Sequence, residues 1–104
     1  MAEPRTDLDK EVLLAKAKNY LNVTWEDHAL NEKIMDIMVR GITYLDRIAG
    51  EPLPYTDGNP ELGLLMNYVL YERSNQLDVF QRNYIHELNA LQIDAGVNRY
   101  VTPE

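Results

Sequence analysis

The stretch from Trp25 to Ala49 constrains the fold of this chain most, because its apolar residues recur at the three- and four-residue spacing of a helix. Thr24 is predicted to cap the start of this helix, and Gly50 is a good stop just past its end. At a rise of about 1.5 Å per residue the helix would be roughly 37 Å long. That is long for one domain of 104 residues.

The apolar side of this long helix is unusually wide, covering an arc of about 200°. Its central members are Leu30, Ile34, Ile37, Met38, Ile42, Leu45, Ile48 and Ala49, with Tyr44 flanking them on one side and Met35 and Val39 on the other. Gly41 lies inside the arc and is predicted to be a point of close helix packing. Two alternatives stay open: other helices of the same chain cover the arc, or a neighbouring subunit covers part of it.

The rest of the chain is predicted to form a loose arm, three more helices and an extended C-terminal tail. In chain order these are residues 1–6, 7–21, 60–75, 77–96 and 97–104, with a loop over 51–59. The predicted fold class is all-α: a single domain (1–104) built as a small bundle of about four helices, with one long helix over 25–49. The third helix is apolar nearly all round, which favours a central or interface position.

Composition and motifs exclude several kinds of chemistry. The chain has no cysteine, so thiolate catalysis and cysteine-bound zinc are absent. His28 and Glu32 have a spacing that could hold a metal, but two ligands do not make a site and a solvated ion pair is the simpler interpretation. Phosphate-binding and nucleophile motifs are missing. We therefore predict no enzyme activity and assign no catalytic, cofactor-binding or metal-binding residues.

The charge balance bears on possible partners. With 10 basic and 17 acidic residues, the formal net charge is −7. An acidic surface repels phosphate backbones, which argues against a protein that grips DNA. No apolar run approaches the length of a membrane span, and the first residues lack the order of a secretory signal.

Three stretches of the sequence resemble a known family. They are Lys16–Val23 leading into Trp25–His28, Ile42–Gly50, and Met66–Asn75 followed by residues 80–92. Together with the order of predicted helices, they resemble the head–tail connector family of tailed bacteriophages, also called adaptor or head-completion proteins. The resemblance covers about residues 8–100.

This resemblance implies a structural role without catalysis. Such proteins form a ring, usually of twelve copies, beneath the portal of the capsid. The ring extends the DNA channel and offers a platform for the next neck or tail component. The chain would then be made in the bacterial host cytoplasm and end up in the virion neck. Arg99, Tyr100 and Val101 of the tail become candidate contacts to the portal or to an adjacent subunit.

Two other classes of function remain open from the sequence. The first is a small regulatory or adaptor domain that binds a helical peptide in a groove. The second is an enzyme with a carboxylate site that the sequence does not reveal, which would require a polar, convergent pocket.

Overall fold

The computed structural model describes the backbone of residues 8–101 and the side chains of residues 8–93. Five helices and no strand occur in the described range. They are α1 (Lys10–Tyr20), α2 (His28–Ala49), α3 (Pro60–Arg73), α4 (Leu77–Asn83) and α5 (Ile85–Val101). The prediction of an all-α fold is confirmed. The predicted loose arm lies outside the described residues.

The start of α2 differs from the sequence prediction. The helix begins at His28, and its cap is Asp27, whose Oδ1 accepts a hydrogen bond from the backbone N–H of Leu30 at 3.2 Å. The predicted cap at Thr24 is wrong, because Asp27 adopts the extended conformation of a cap and offers a carboxylate at the right spacing. The end of α2 at Ala49 is as predicted, with Gly50 in the left-handed region at φ 78°.

These two capping assignments can be separated by mutation. We expect Asp27→Ala to lower the free energy of unfolding by about 1 kcal/mol, because the N–H of Leu30 loses its carboxylate acceptor and the helix start loses a favourable negative charge. Thr24→Ala serves as the matched control and should leave it within about 0.5 kcal/mol. Urea unfolding followed by circular dichroism measures both. An equal loss in the two variants would contradict the structure.

The predicted fourth helix is two helices. Tyr84 leaves the helical conformation between α4 and α5, although its N–H still bonds to the carbonyl of Phe80. The bend lets α4 pack on α3 while α5 packs on α2. No glycine or proline marks this position, and the apolar stripe runs through it unbroken.

The prediction of an extended C-terminal tail over residues 97–104 is wrong for residues 97–101. The backbone of α5 continues as helix to Val101, and residues 102–104 lie outside the described range. Val97, Tyr100 and Val101 fit a helical spacing of three and four as well as they fit alternation. Gly96 is a possible stop signal just before residue 97, but the helix continues through it, and the first proline is Pro103.

The core is built around α2, which contacts α1, α3 and α5. Ile34, Met38 and Leu45 on its wide apolar arc are completely buried. The chain therefore covers most of this arc itself, as the first alternative proposed. Helix α3 is surrounded in the same way by α1, α2 and α4, and Leu65 and Val69 on it are fully buried.

Gly41 lies where α2 and α3 meet. A β-carbon built at this position would lie 2.7 Å from Cδ1 of Tyr68 and 2.8 Å from Cδ1 of Leu65. Both distances are shorter than carbon atoms tolerate, so the approach of the two helices depends on the missing side chain.

An aromatic cluster fixes α4 against the two longer helices. Phe80 is completely buried, and its ring centroid lies 5.2 to 6.4 Å from those of four tyrosines. These are Tyr44 of α2, Tyr68 and Tyr71 of α3, and Tyr84 at the α4–α5 junction. Because the cluster includes residues of α2, α3 and the junction, it also sets where α5 begins.

Candidate functional site

A groove of about 290 Å³ runs between α3 and α5. It exists because both helices pack on α2 and their facing sides do not close on each other. Helix α3 contributes Pro60, Gly63, Leu64 and Asn67, and the other wall consists of Tyr84, Glu87, Ala90 and Leu91. Most of these groups are apolar, so the groove suits an apolar side chain rather than a charged ligand.

Gly63 leaves this groove open. A β-carbon at Gly63 would meet no atom within 4 Å, in contrast to Gly41. Its backbone is ordinary helix, and the positive-φ glycines are Gly50 and Gly58 in the described range. Glycine inside a helix costs about 1 kcal/mol relative to alanine. The described packing of the chain gives no reason for that cost at Gly63.

We therefore expect Gly63→Ala to raise the free energy of unfolding by about 0.5–1 kcal/mol. The added methyl group enters open space, so it does not disturb the folded protein. It restricts the backbone of the unfolded chain, which therefore loses less conformational entropy when it folds. The shift in the urea midpoint at constant slope measures this effect. A loss of stability would show that the groove is closed in solution.

Polar groups line one rim of the groove. The Asn67 side-chain amide donates to the carbonyl of Gly63 at 2.9 Å, and its Oδ1 accepts from the Tyr20 hydroxyl at 2.9 Å. Burial raises the pKa of Tyr84, with smaller contributions from Tyr71 and other neighbours, so its hydroxyl stays neutral at physiological pH. These hydrogen bonds fix the shape of the rim without adding charge.

Glu87 is the one charged side chain that lines the groove among the described residues. It is exposed, and it forms no ion pair or hydrogen bond with any other side chain described by the structure. The groove therefore combines an apolar floor with a negative charge at its edge that has no partner among the described side chains.

A second exposed apolar surface lies on another side of α5. Ile85 is 45% exposed and Ile93 is 62% exposed. Together with Asn89 they are spaced four residues apart, so they follow one face of the helix, which we call the α5 ridge. At about 100° per residue, the centre of this face lies about 160° from Glu87 of the groove, whereas Ala90 lies about 60° from Ile93 and so borders the ridge. The groove and the α5 ridge are thus different surfaces of one helix.

Arg82 adds a positive charge near the α5 ridge. It is exposed at the end of α4, three residues before Ile85. The Arg82 side chain forms no hydrogen bond or ion pair within the described part of the chain. By contrast, Arg40 on α2 is bound to Glu72 of α3 at 2.6 Å, and this hydrogen bond raises the pKa of Arg40.

Of the residues singled out from the sequence, those whose side chains the structure describes are not brought together into a site. His28 Nε2 lies 3.2 Å from Glu32 Oε2, and both side chains are exposed. Within residues 8–93, no three acidic or histidine side chains are arranged to hold a metal ion. The candidate contacts Arg99, Tyr100 and Val101 have side chains outside the described residues, and Gly41 lies in the core contact with α3.

Polar clefts among the described residues are open and bordered by exposed side chains. One of about 590 Å³ between α1 and α2 is bordered by Glu11, His28, Glu32 and Asp36, all exposed. General acid–base catalysis favours a carboxyl group with a raised pKa. Glu26, which does not line this cleft, has a pKa below its usual value because its carboxylate accepts hydrogen bonds from Lys18 and Asn31.

Comparisons with protein-family models, with curated proteins and with solved structures give no match to this chain. Among the described residues, no helix has both the length and the apolar character needed to cross a membrane.

Sequence reasoning did not find the groove. Its two walls are more than ten residues apart in the sequence, and only the bend at Tyr84 places them side by side. The one available signal was Gly63 inside an otherwise strong helical pattern, because such a glycine often has a packing or binding reason.

Proposed function

We propose that this chain is a structural subunit of a bacteriophage neck that assembles into a ring beneath the portal and joins the capsid to the tail. The resemblance to connector proteins supplies the ring, its place in the virion and its usual count of twelve copies. The observation that carries the proposal is the presence of uncovered apolar surface, which includes the groove, the α5 ridge and exposed side chains elsewhere such as Trp25 and Val39.

The charge of the chain supports the same proposal. A net charge of −7 suits a channel wall that DNA passes without binding, because like charges repel. The partners in this proposal are other copies of the chain, the portal protein and a neck or tail-completion protein below. No sequence-specific contact to DNA and no membrane contact is part of it.

The test is assembly with the portal. Purified protein is examined by native mass spectrometry and electron microscopy, alone and after mixing with purified portal rings of the same phage genome. We expect a closed ring of this chain stacked coaxially on the portal. A chain that remains monomeric with and without the portal would overturn the proposal.

The groove also favours a second candidate function, an adaptor that binds one amphipathic helix of another protein. Such an adaptor would form a one-to-one complex with its target and would not self-associate. The same mass measurements, made with a host lysate fraction that contains the bound protein, distinguish this stoichiometry from that of a ring.

A further inference from the structure

We infer that the groove between α3 and α5 receives the α5 ridge of a second copy of this chain, so that neighbouring subunits join head to tail. This inference rests on the proposed function and names the surfaces that build its ring. It follows from shape, from charge and from the relative placement of the two surfaces.

The shapes are complementary. The groove presents Gly63 and Ala90, two small residues, between the larger Leu64 and Leu91. The α5 ridge presents two isoleucines on one helical face, about 12 Å apart at 1.5 Å per residue. A volume of about 290 Å³ accommodates side chains of this size and is at the low end for a small-molecule pocket.

The charges are complementary as well. Glu87 at the groove and Arg82 beside the α5 ridge both lack a partner among the described side chains. Copies with a net charge of −7 repel each other in general, so a docking mode that pairs an acid with a base is favoured over modes that bring acids together. This pairing selects the register of docking more than it adds affinity.

The placement of the surfaces determines the type of assembly. Because the groove and the α5 ridge are different surfaces, one copy can use both at once with two different neighbours. Such a heterologous contact gives a closed ring or an open filament, and it does not stop at a two-fold dimer. A foreign helix that filled the groove would instead block this growth.

Engineered cysteines test the contact directly, since the native chain has none. Ala90→Cys places a thiol in the groove and Ile85→Cys places one on the α5 ridge. Each variant is oxidised alone and in an equal mixture at the highest soluble concentration. We expect disulfide-linked dimers in the mixture and only traces in either variant alone, because a disulfide needs the two Cα atoms within about 7 Å.

The double variant Ile85→Cys/Ala90→Cys extends the test. We expect a ladder of covalent oligomers on a denaturing gel, ending at the number of subunits in the closed ring. Dimers formed by either single variant with itself would mean an isologous contact and would overturn the inference.

Charge reversal gives an independent measurement. We expect Glu87→Arg and Arg82→Glu each to weaken self-association several-fold in sedimentation. An equal mixture of the two single variants should recover assembly, because in alternating copies each reversed groove charge faces the reversed ridge charge of the other variant and each native charge faces its native partner. The double variant Arg82→Glu/Glu87→Arg should recover it, because the pair is restored with its signs exchanged. If the single variants self-associate more weakly and the double variant does not recover wild-type assembly, Glu87 and Arg82 do not pair across the contact. Circular dichroism and urea unfolding confirm that each variant is folded.

Filling the groove separates this inference from the proposed function. Gly63→Leu should keep the fold and abolish the mixed disulfide. If wild-type rings form on the portal but no disulfide joins groove to ridge, the inference is wrong and the connector role stands. If the mixed disulfide forms but the portal is never bound, the connector role is wrong and the contact stands.

Discussion

Gly41→Leu is expected to lower the free energy of unfolding by about 3 kcal/mol or more. Even the first added carbon would lie 2.7 Å from Tyr68 and 2.8 Å from Leu65, both of which are buried in the contact between α2 and α3. Overpacking of a core typically costs about 1–3 kcal/mol, and a full leucine in a site with no space for a methyl group belongs at or beyond the upper end. The total free energy of unfolding of a small domain is only about 5–15 kcal/mol.

The measurement is the free energy of unfolding in urea, with Gly41→Ala as a graded variant. Alanine gains about 1 kcal/mol of helix propensity, so its net loss is expected to be smaller than the loss for leucine. Gly63→Leu is the matched control, because it places the same side chain in the neighbouring helix where no atom lies within 4 Å of the β-carbon. Equal stability of the two leucine variants would mean that α2 and α3 are further apart than in this structure.

This comparison also shows what the sequence can and cannot predict. Gly41 and Gly63 both interrupt helical patterns, and the sequence alone gives Gly41 a special role because it lies inside an apolar arc. Gly63 lies on a helix that is apolar nearly all round, so the sequence pattern does not show whether Gly63 faces the core or the surface. The neighbours of each glycine come from other parts of the chain, and only the packed structure separates a closed contact from an open groove.

The helix ends follow the same logic. Gly50 and Pro60 were predictable because their chemistry fits one position: glycine tolerates the left-handed conformation that ends α2, and proline suits the first residue of α3. The start of α2 could not be predicted, because Thr24 and Asp27 are both good caps and the local sequence does not favour one over the other. The bend at Tyr84 has no local signal, since it results from packing of α4 and α5 on different helices.

Phe80→Ala is expected to lower the free energy of unfolding by about 3–5 kcal/mol, because Phe80 is completely buried. The loss includes the transfer energy of the ring, the cavity left behind and the edge and stacked contacts with surrounding tyrosines. The nearest of these rings belongs to Tyr84, with centroids 5.2 Å apart. Thermal and urea unfolding measure the loss, and a cost below about 1 kcal/mol would contradict the packing described.

Phe80→Leu is the control, since it keeps an apolar side chain at the site and leaves a smaller cavity. Its loss of unfolding free energy should be well below that of Phe80→Ala.

The two Phe80 variants also test how the groove is positioned. Tyr84 belongs both to the aromatic cluster and to the groove wall, so a cavity beside it loosens the junction from which α5 starts. If the α5 surfaces form the contact between copies, Phe80→Ala should reduce the Ala90→Cys to Ile85→Cys cross-link at temperatures where the domain is still folded. Phe80→Leu should reduce it less. An unchanged cross-link in folded Phe80→Ala protein would show that α5 is positioned by α2 alone, without the cluster.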